Sequence, residues 1–177
     1  SDLRKKYNIP LRYKIVGRIG GFNQFDDSAA LKGVLRILEK RKDIKFVFCN
    51  TREFIQHSQV TYIKSITERE KWDFYDAGDL FLNGRSMGET FGFSIVEPLM
   101  VGKPVIAPDR LRHPSMDAAH MEILRPLKFT YFTSFDFARK IMFLLDSGTD
   151  RSLLINSVNM FTPEISMQRF FSEFILD

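Results

Sequence analysis

Short apolar runs of strand character alternate along this chain with longer stretches whose apolar residues recur every three or four positions. That alternation constrains the fold more than any other feature. Residues 13–19 read as a strand ending in a glycine turn, and 28–40 as a helix. In that helix Leu31, Val34, Leu35 and Leu38 share a face, and Ser28 is the expected N-cap. Residues 44–49 and 60–64 are apolar strands. A polar helix follows over 67–77, with Trp72 and Tyr75 inward and Thr67 and Glu70 spaced as a capping box. Residues 79–82 form a buried strand, 92–101 an apolar helix closed by Gly102, and 104–107 the next strand. Further on, 115–122 reads as a short helix and 128–133 as a last strand. Residues 135–145, 151–161 and 163–175 read as helices.

Strands alternating with helices, and rich in Val, Ile and Phe, imply a parallel sheet covered on both faces. Right-handed crossovers then make the fold α/β: doubly wound, Rossmann-like, with ligands at the carboxyl ends of the strands. At 177 residues the chain fits one domain. We assign it to residues 13–177, after an extension or linker over 1–12. An apolar fraction of 44% beside 27% charge suits an ordinary folded core. No apolar stretch approaches bilayer length, and no signal-peptide pattern is visible at the N-terminus. A single cysteine, Cys49, suits a reducing compartment, so a cytoplasmic location is expected. The net charge of +4 is too diffuse to call for nucleic acid but suits an anionic small ligand.

Arginines recur just past the strand ends: Arg18 in Gly17-Arg18-Ile19-Gly20-Gly21, Arg85 after the fourth strand, and Arg110 and Arg112 after the fifth. Fixed guanidinium groups on that edge suit a phosphate or pyrophosphate. The first glycine turn lacks the dinucleotide-binding spacing, because Ile19 stands where glycine is required. There is no Walker A loop, no nucleophile elbow and no histidine spacing suited to a metal; no metal ligand is assigned.

The most informative stretch runs from Gly88 to Pro98. Two carboxylates, Glu89 and Glu97, stand eight residues apart around the start of a helix. A helix N-terminus attracts anions through its unpaired N–H groups and its dipole. A diphosphate capping it, with Gly92 allowing close approach, would leave one carboxylate for a sugar hydroxyl and the other for a ribose hydroxyl. Glu97 lies within an apolar helix, so its charge needs a partner.

Three stretches carry a family resemblance: Tyr75-Asp76-Ala77-Gly78-Asp79-Leu80-Phe81-Leu82, Glu89-Thr90-Phe91-Gly92, and Glu97-Pro98-Leu99-Met100-Val101-Gly102-Lys103-Pro104-Val105-Ile106-Ala107. Together they resemble the C-terminal, donor-binding half of GT-B glycosyltransferases, in particular the retaining family 4 type with its Glu-x7-Glu motif. The resemblance is dense over 75–108 and looser, though colinear, from 13 onward.

It implies that Glu89 lies beside the donor sugar at the reacting centre and that Arg18 neutralises the leaving diphosphate. It implies that Glu97 binds the ribose, and that the backbone of Phe91, Gly92 and Phe93 contacts the diphosphate. Gly17 and Arg85 are expected beside the same ligand. The implied activity is metal-independent, cofactor-free transfer of a hexosyl group from a UDP- or GDP-sugar to a sugar or glycan hydroxyl. The acceptor would be held by an N-terminal domain outside this chain, and membrane association is left open. Asn23-Gln24 stand where the family usually carries a lysine. That departure motivates the alternative reading of a catalytically inactive nucleotide-sugar-binding or scaffold module.

Overall fold

A computed structural model of the chain describes residues 2–89, 92–109 and 117–159. The main sheet has six parallel strands: β1 (Lys14–Ile19), β2 (Ile44–Cys49), β3 (Val60–Ile63), β4 (Leu80–Leu82), β6 (Val105–Pro108) and β8 (Thr130–Tyr131). They lie in the order β3-β2-β1-β4-β6-β8. Strands β5 (Gly88–Glu89) and β7 (Asp117–Ala118) form a separate parallel pair. The helices are α1 (Asp2–Lys6), α2 (Ser28–Lys40), α3 (Glu68–Ala77), α4 (Phe93–Met100), α5 (Ala119–Leu124), α6 (Ser134–Ser147) and α7 (Arg151–Val158). They cover both sides of the sheet, with α2 against α6, α4 against α7 and α1 against α3. This is the expected doubly wound, Rossmann-like α/β fold.

The strand order reverses at β1. Its register runs from Lys14 opposite Ile44 to Ile19 opposite Cys49 on one side, and pairs Val16 with Leu80 on the other. Crossovers leave β1 and β4 in opposite directions, so a crevice opens beyond their carboxyl ends. The core beneath it is dense in aromatic rings. Phe46, Phe48, Phe74, Phe81 and Phe137 are fully buried, in line with the high phenylalanine content of the sequence.

Helix α2 has the expected bounds but a different cap and a rotated face. Asp27, rather than Ser28, is its N-cap and accepts from the Ala30 amide at 2.9 Å. The buried face is Ala29, Ala30, Gly33, Val34, Ile37 and Leu38, and Leu35 is 41% exposed. The Phe137 ring of α6 occupies the space a side chain at Gly33 would need, so a small residue belongs to the interface and a large one faces out. Helix α3 carries the capping box from Thr67 to Glu70. Tyr75 is buried as expected, whereas Trp72 turns partly to solvent. Residues 2–9 pack on α3 through buried Leu3 and Ile9 and through a 2.6 Å contact of Lys6 with Glu70. The expected helix over 163–175, with Phe170, Phe171 and Phe174, lies outside the described residues, as do Arg110 and Arg112. No helix among the described residues is long and apolar enough to cross a membrane.

Candidate functional site

Two adjoining cavities sit over the reversal point. One of about 400 Å³ is lined by Lys71, Tyr75 and Glu97. The other, of about 290 Å³, is lined by Arg18, Gln24, Asn83, Glu89 and Gly92. Both share Ile19 and Gly20 from the end of β1, and Phe93 and Ser94 from the start of α4. They form one trough across the N-terminus of α4, with Glu89 in one half and Glu97 in the other.

Gly92 makes that helix start possible. It is the N-cap residue, it adopts φ 76° and ψ 59°, and among the described residues no side chain caps the helix there. A Cβ at this position would sit 3.3 Å from the Cβ of Glu89. Phe93, the first helical residue, is 67% exposed and flanks the trough without filling it. Phe91 lies outside the described residues.

Glu89 is placed by the small β5–β7 ladder, an element the sequence reading did not anticipate. Asn83 at the end of β4 donates to Glu89 Oε1 at 2.8 Å, and Arg85 donates to Oε2 at 3.1 Å. Asn83 also reaches Ser94 Oγ at 3.3 Å, tying the strand end to the first turn of α4. Arg85, expected at the ligand, bonds Glu89 and does not line either cavity.

Arg18 is only 3% exposed yet forms part of the trough wall. Its guanidinium donates to the Asn50 carbonyl at 3.1 Å, to Thr51 Oγ1 at 2.6 Å and to the Gly21 carbonyl at 3.0 Å. It also stands 5.8 Å over the Phe25 ring. Among the described residues it has no ion-pair partner. Burial pushes its pKa down to about 10, against the opposing fields of Cys49, Glu89 and Asp26. A buried cation held by neutral groups beside an open trough favours an anion there.

Gly17, also expected at the ligand, is a packing residue. It lies inside β1, and its missing side chain makes room for the Phe81 and Phe74 rings, which a Cβ would meet at 2.5 and 2.9 Å. Gly20, three residues on, lines both cavities instead. Of the pair Asn23-Gln24, which stands where the resemblance leads one to expect a lysine, Gln24 brings a neutral amide to the trough, and its Oε1 accepts from the Gly21 amide at 3.1 Å.

Glu97 has the partners its apolar helix demands. Lys71 Nζ meets Oε1 at 2.6 Å and the Tyr75 hydroxyl meets Oε2 at 2.8 Å. Lys71 also contacts Glu68 at 2.8 Å. Burial lowers the Lys71 pKa, but its bonds to Glu68 and Glu97 outweigh that and raise it. Burial, followed by the bond to Glu97, pushes the Tyr75 phenol well up. The sequence reading did not assign Lys71, Tyr75, Asn83 or Ser94. Lys71 and Tyr75 did carry a signal, since residues four apart share one helix face.

The trough can thus take an anion at its centre and hydroxyl groups at its ends. Among the described residues, no cluster of His, Cys, Asp and Glu is arranged to hold a metal ion.

No family model matches the sequence, and no curated protein matches it. Solved structures do. HepE of Anabaena, in complex with UDP and glucose, superposes with a TM-score of 0.71 at 16% identity, over 97% of this chain and 50% of that one. A glycosyltransferase from Rickettsia africae gives 0.70 at 16% identity, over 97% of this chain and 49% of that one. The C-terminal domain of a group 1 glycosyl transferase (LpcC) from Francisella tularensis gives 0.57 at 16% identity, over 99% of this chain and 93% of that one. The chain spans about half the length of the first two. These neighbours are GT-B proteins, and the likeness shows the fold of their Rossmann-like C-terminal domain.

Proposed function

We propose that this chain is the donor-binding domain of a glycosyltransferase and holds a nucleoside diphosphate sugar in the trough across the start of α4. The observation that carries the proposal is Arg18, a buried guanidinium with no ion-pair partner among the described residues, set in the same wall as the helix start at Gly92. The diphosphate would lie over Gly20, Gly92 and Phe93, where helix N–H groups and Arg18 offset its charge. Glu97 would accept from the ribose, and Glu89 would lie beside the donor sugar.

In this reading the chemistry is retaining, family 4 transfer of a hexosyl group from a UDP- or GDP-sugar to a sugar or glycan hydroxyl, in the cytoplasm and without a metal or organic cofactor. Arg18 stabilises the departing diphosphate. A separate domain holds the acceptor, so this chain alone would bind donor and catalyse little.

Calorimetric titration with UDP, GDP and ADP tests the proposal, repeated with Glu97→Ala. Binding of at least one nucleotide, weakened by the substitution, is expected. No binding by any of the three, or no change on substitution, would refute it.

The pair Asn23-Gln24 favours a second reading, a catalytically inactive nucleotide-sugar-binding or scaffold module, because neutral amides stand where a lysine was expected. Turnover separates the two. A protein complete with its acceptor domain that holds donor but neither transfers nor hydrolyses it belongs to the second.

A further inference from the structure

Glu97 does not stand alone at its end of the trough, and its partners say what kind of group fits there. Its two carboxylate oxygens are each taken once, Oε1 by Lys71 at 2.6 Å and Oε2 by Tyr75 at 2.8 Å. Each oxygen keeps a second lone pair. Lys71 has three donors, two of which go to Glu68 and Glu97. All three of Lys71, Tyr75 and Glu97 line the same cavity. Their side chains come from α3 and α4, two elements packed on one core, so the cluster is built before any ligand arrives.

A lone carboxylate can only accept. A hydroxyl group both donates and accepts, so a site for a hydroxyl pair is completed by a donor next to the carboxylate. We propose that Lys71 is a specificity-determining residue that turns this end of the trough into a clamp for a vicinal diol, with Tyr75 as a positioning residue. Two neighbouring ribose hydroxyls donate to the remaining lone pairs of Glu97, and the third donor of Lys71 goes to one of their oxygens. Tyr75, fixed from behind by burial against Phe81 and Phe74, holds the carboxylate plane in place. This inference rests on the proposal that the trough takes a nucleoside diphosphate, and it adds that Lys71 reads the sugar of that nucleotide.

The test compares UDP, GDP and ADP with their 2′,3′-dideoxy forms by calorimetry, on the wild-type chain and on Lys71→Met, Lys71→Ala and Tyr75→Phe. Near-ultraviolet circular dichroism checks folding, and having two Lys71 substitutions guards against one that does not fold. Lys103→Met is the charge control, since Lys103 bonds the Asp76 carbonyl and lines neither cavity. The wild type should prefer the ribonucleotide. Either Lys71 substitution should cut that preference by about tenfold, as expected for losing a hydrogen bond from a charged donor. Tyr75→Phe should cut it by about threefold, and Lys103→Met should leave it unchanged. If the wild type binds a ribonucleotide but folded Lys71 variants keep the full preference, the clamp is wrong and the nucleotide site stands. If the wild type binds none of UDP, GDP and ADP, the site proposal fails and the clamp falls with it.

Discussion

Asn83 Nδ2 lies 2.8 Å from Glu89 Oε1, and through this bond the end of a central strand aims a carboxylate into the trough. The same amide nitrogen lies 3.3 Å from Ser94 Oγ, and Asn83 Oδ1 accepts from the Arg85 amide at 3.2 Å. One buried side chain thus joins β4, the loop after it, β5 and the first turn of α4. Asn83→Ala should cost about 1–3 kcal/mol of stability through the partners it strands, read from urea denaturation. On the proposed reading, in a protein that also carries an acceptor domain, transfer should fall more than donor affinity, because Glu89 loses its aim.

Gly92 sets the helix start at φ 76°. An L-residue there meets left-handed strain and places its Cβ 3.3 Å from the Cβ of Glu89. Gly92→Ala should therefore destabilise the chain by about 1–2 kcal/mol and weaken nucleotide binding at the same time. Thermal melts and calorimetry on the same sample check both outcomes.

Arg18 is buried beneath the proposed diphosphate position and bonded to two carbonyls and a hydroxyl. Its replacement should act on phosphate rather than on the nucleoside. Arg18→Met should weaken UDP or GDP by about ten- to hundredfold, the cost of losing a charge-assisted contact, and leave the free nucleoside unaffected. Equal losses for nucleoside and nucleotide would mean a distorted trough instead.

His120 on α5 is buried, with Nδ1 unpaired among the described residues and Nε2 3.4 Å from the Pro108 carbonyl. Burial holds its pKa below the ordinary 6.5, against the opposing pull of Pro108, Glu89 and Asp109. The unfolded chain therefore takes up this proton at a higher pH than the folded one does. Above pH 6.5 the ring is neutral in both states and costs nothing. As pH falls below that value, stability should drop, until the folded-state pKa is passed and the loss levels off. Denaturation midpoints between pH 5 and 8 should show this slope in the wild type and a shallower one in His120→Leu.

Periodicity alone located the sheet strands and most helices, because alternating burial and the helical repeat are local properties of the chain. The capping box from Thr67 to Glu70 was legible for the same reason, since its two side chains are three residues apart. So was the placement of Glu89 and Glu97 about one helix start, where eight residues and a glycine leave few other geometries. The outward turn of Leu35 is not legible locally, because apolarity alone does not say which neighbour arrives. The Phe137 ring, from a helix far along the chain, made Gly33 an interface residue.

What only the tertiary structure decided are pairings across sequence distance. Glu97 is satisfied by residues 22 and 26 positions earlier, and Arg18 by groups 32 and 33 positions later. The β5–β7 ladder that seats Glu89 joins two dipeptides too short to carry any pattern. Gly17 and Gly20 look alike in the sequence, and only the Phe74 and Phe81 rings assign one to the core and leave the other at the trough. Local sequence sets which elements form, through backbone preference and burial period. Which side chains meet is set by strand order and packing, through contacts that no short window of sequence contains.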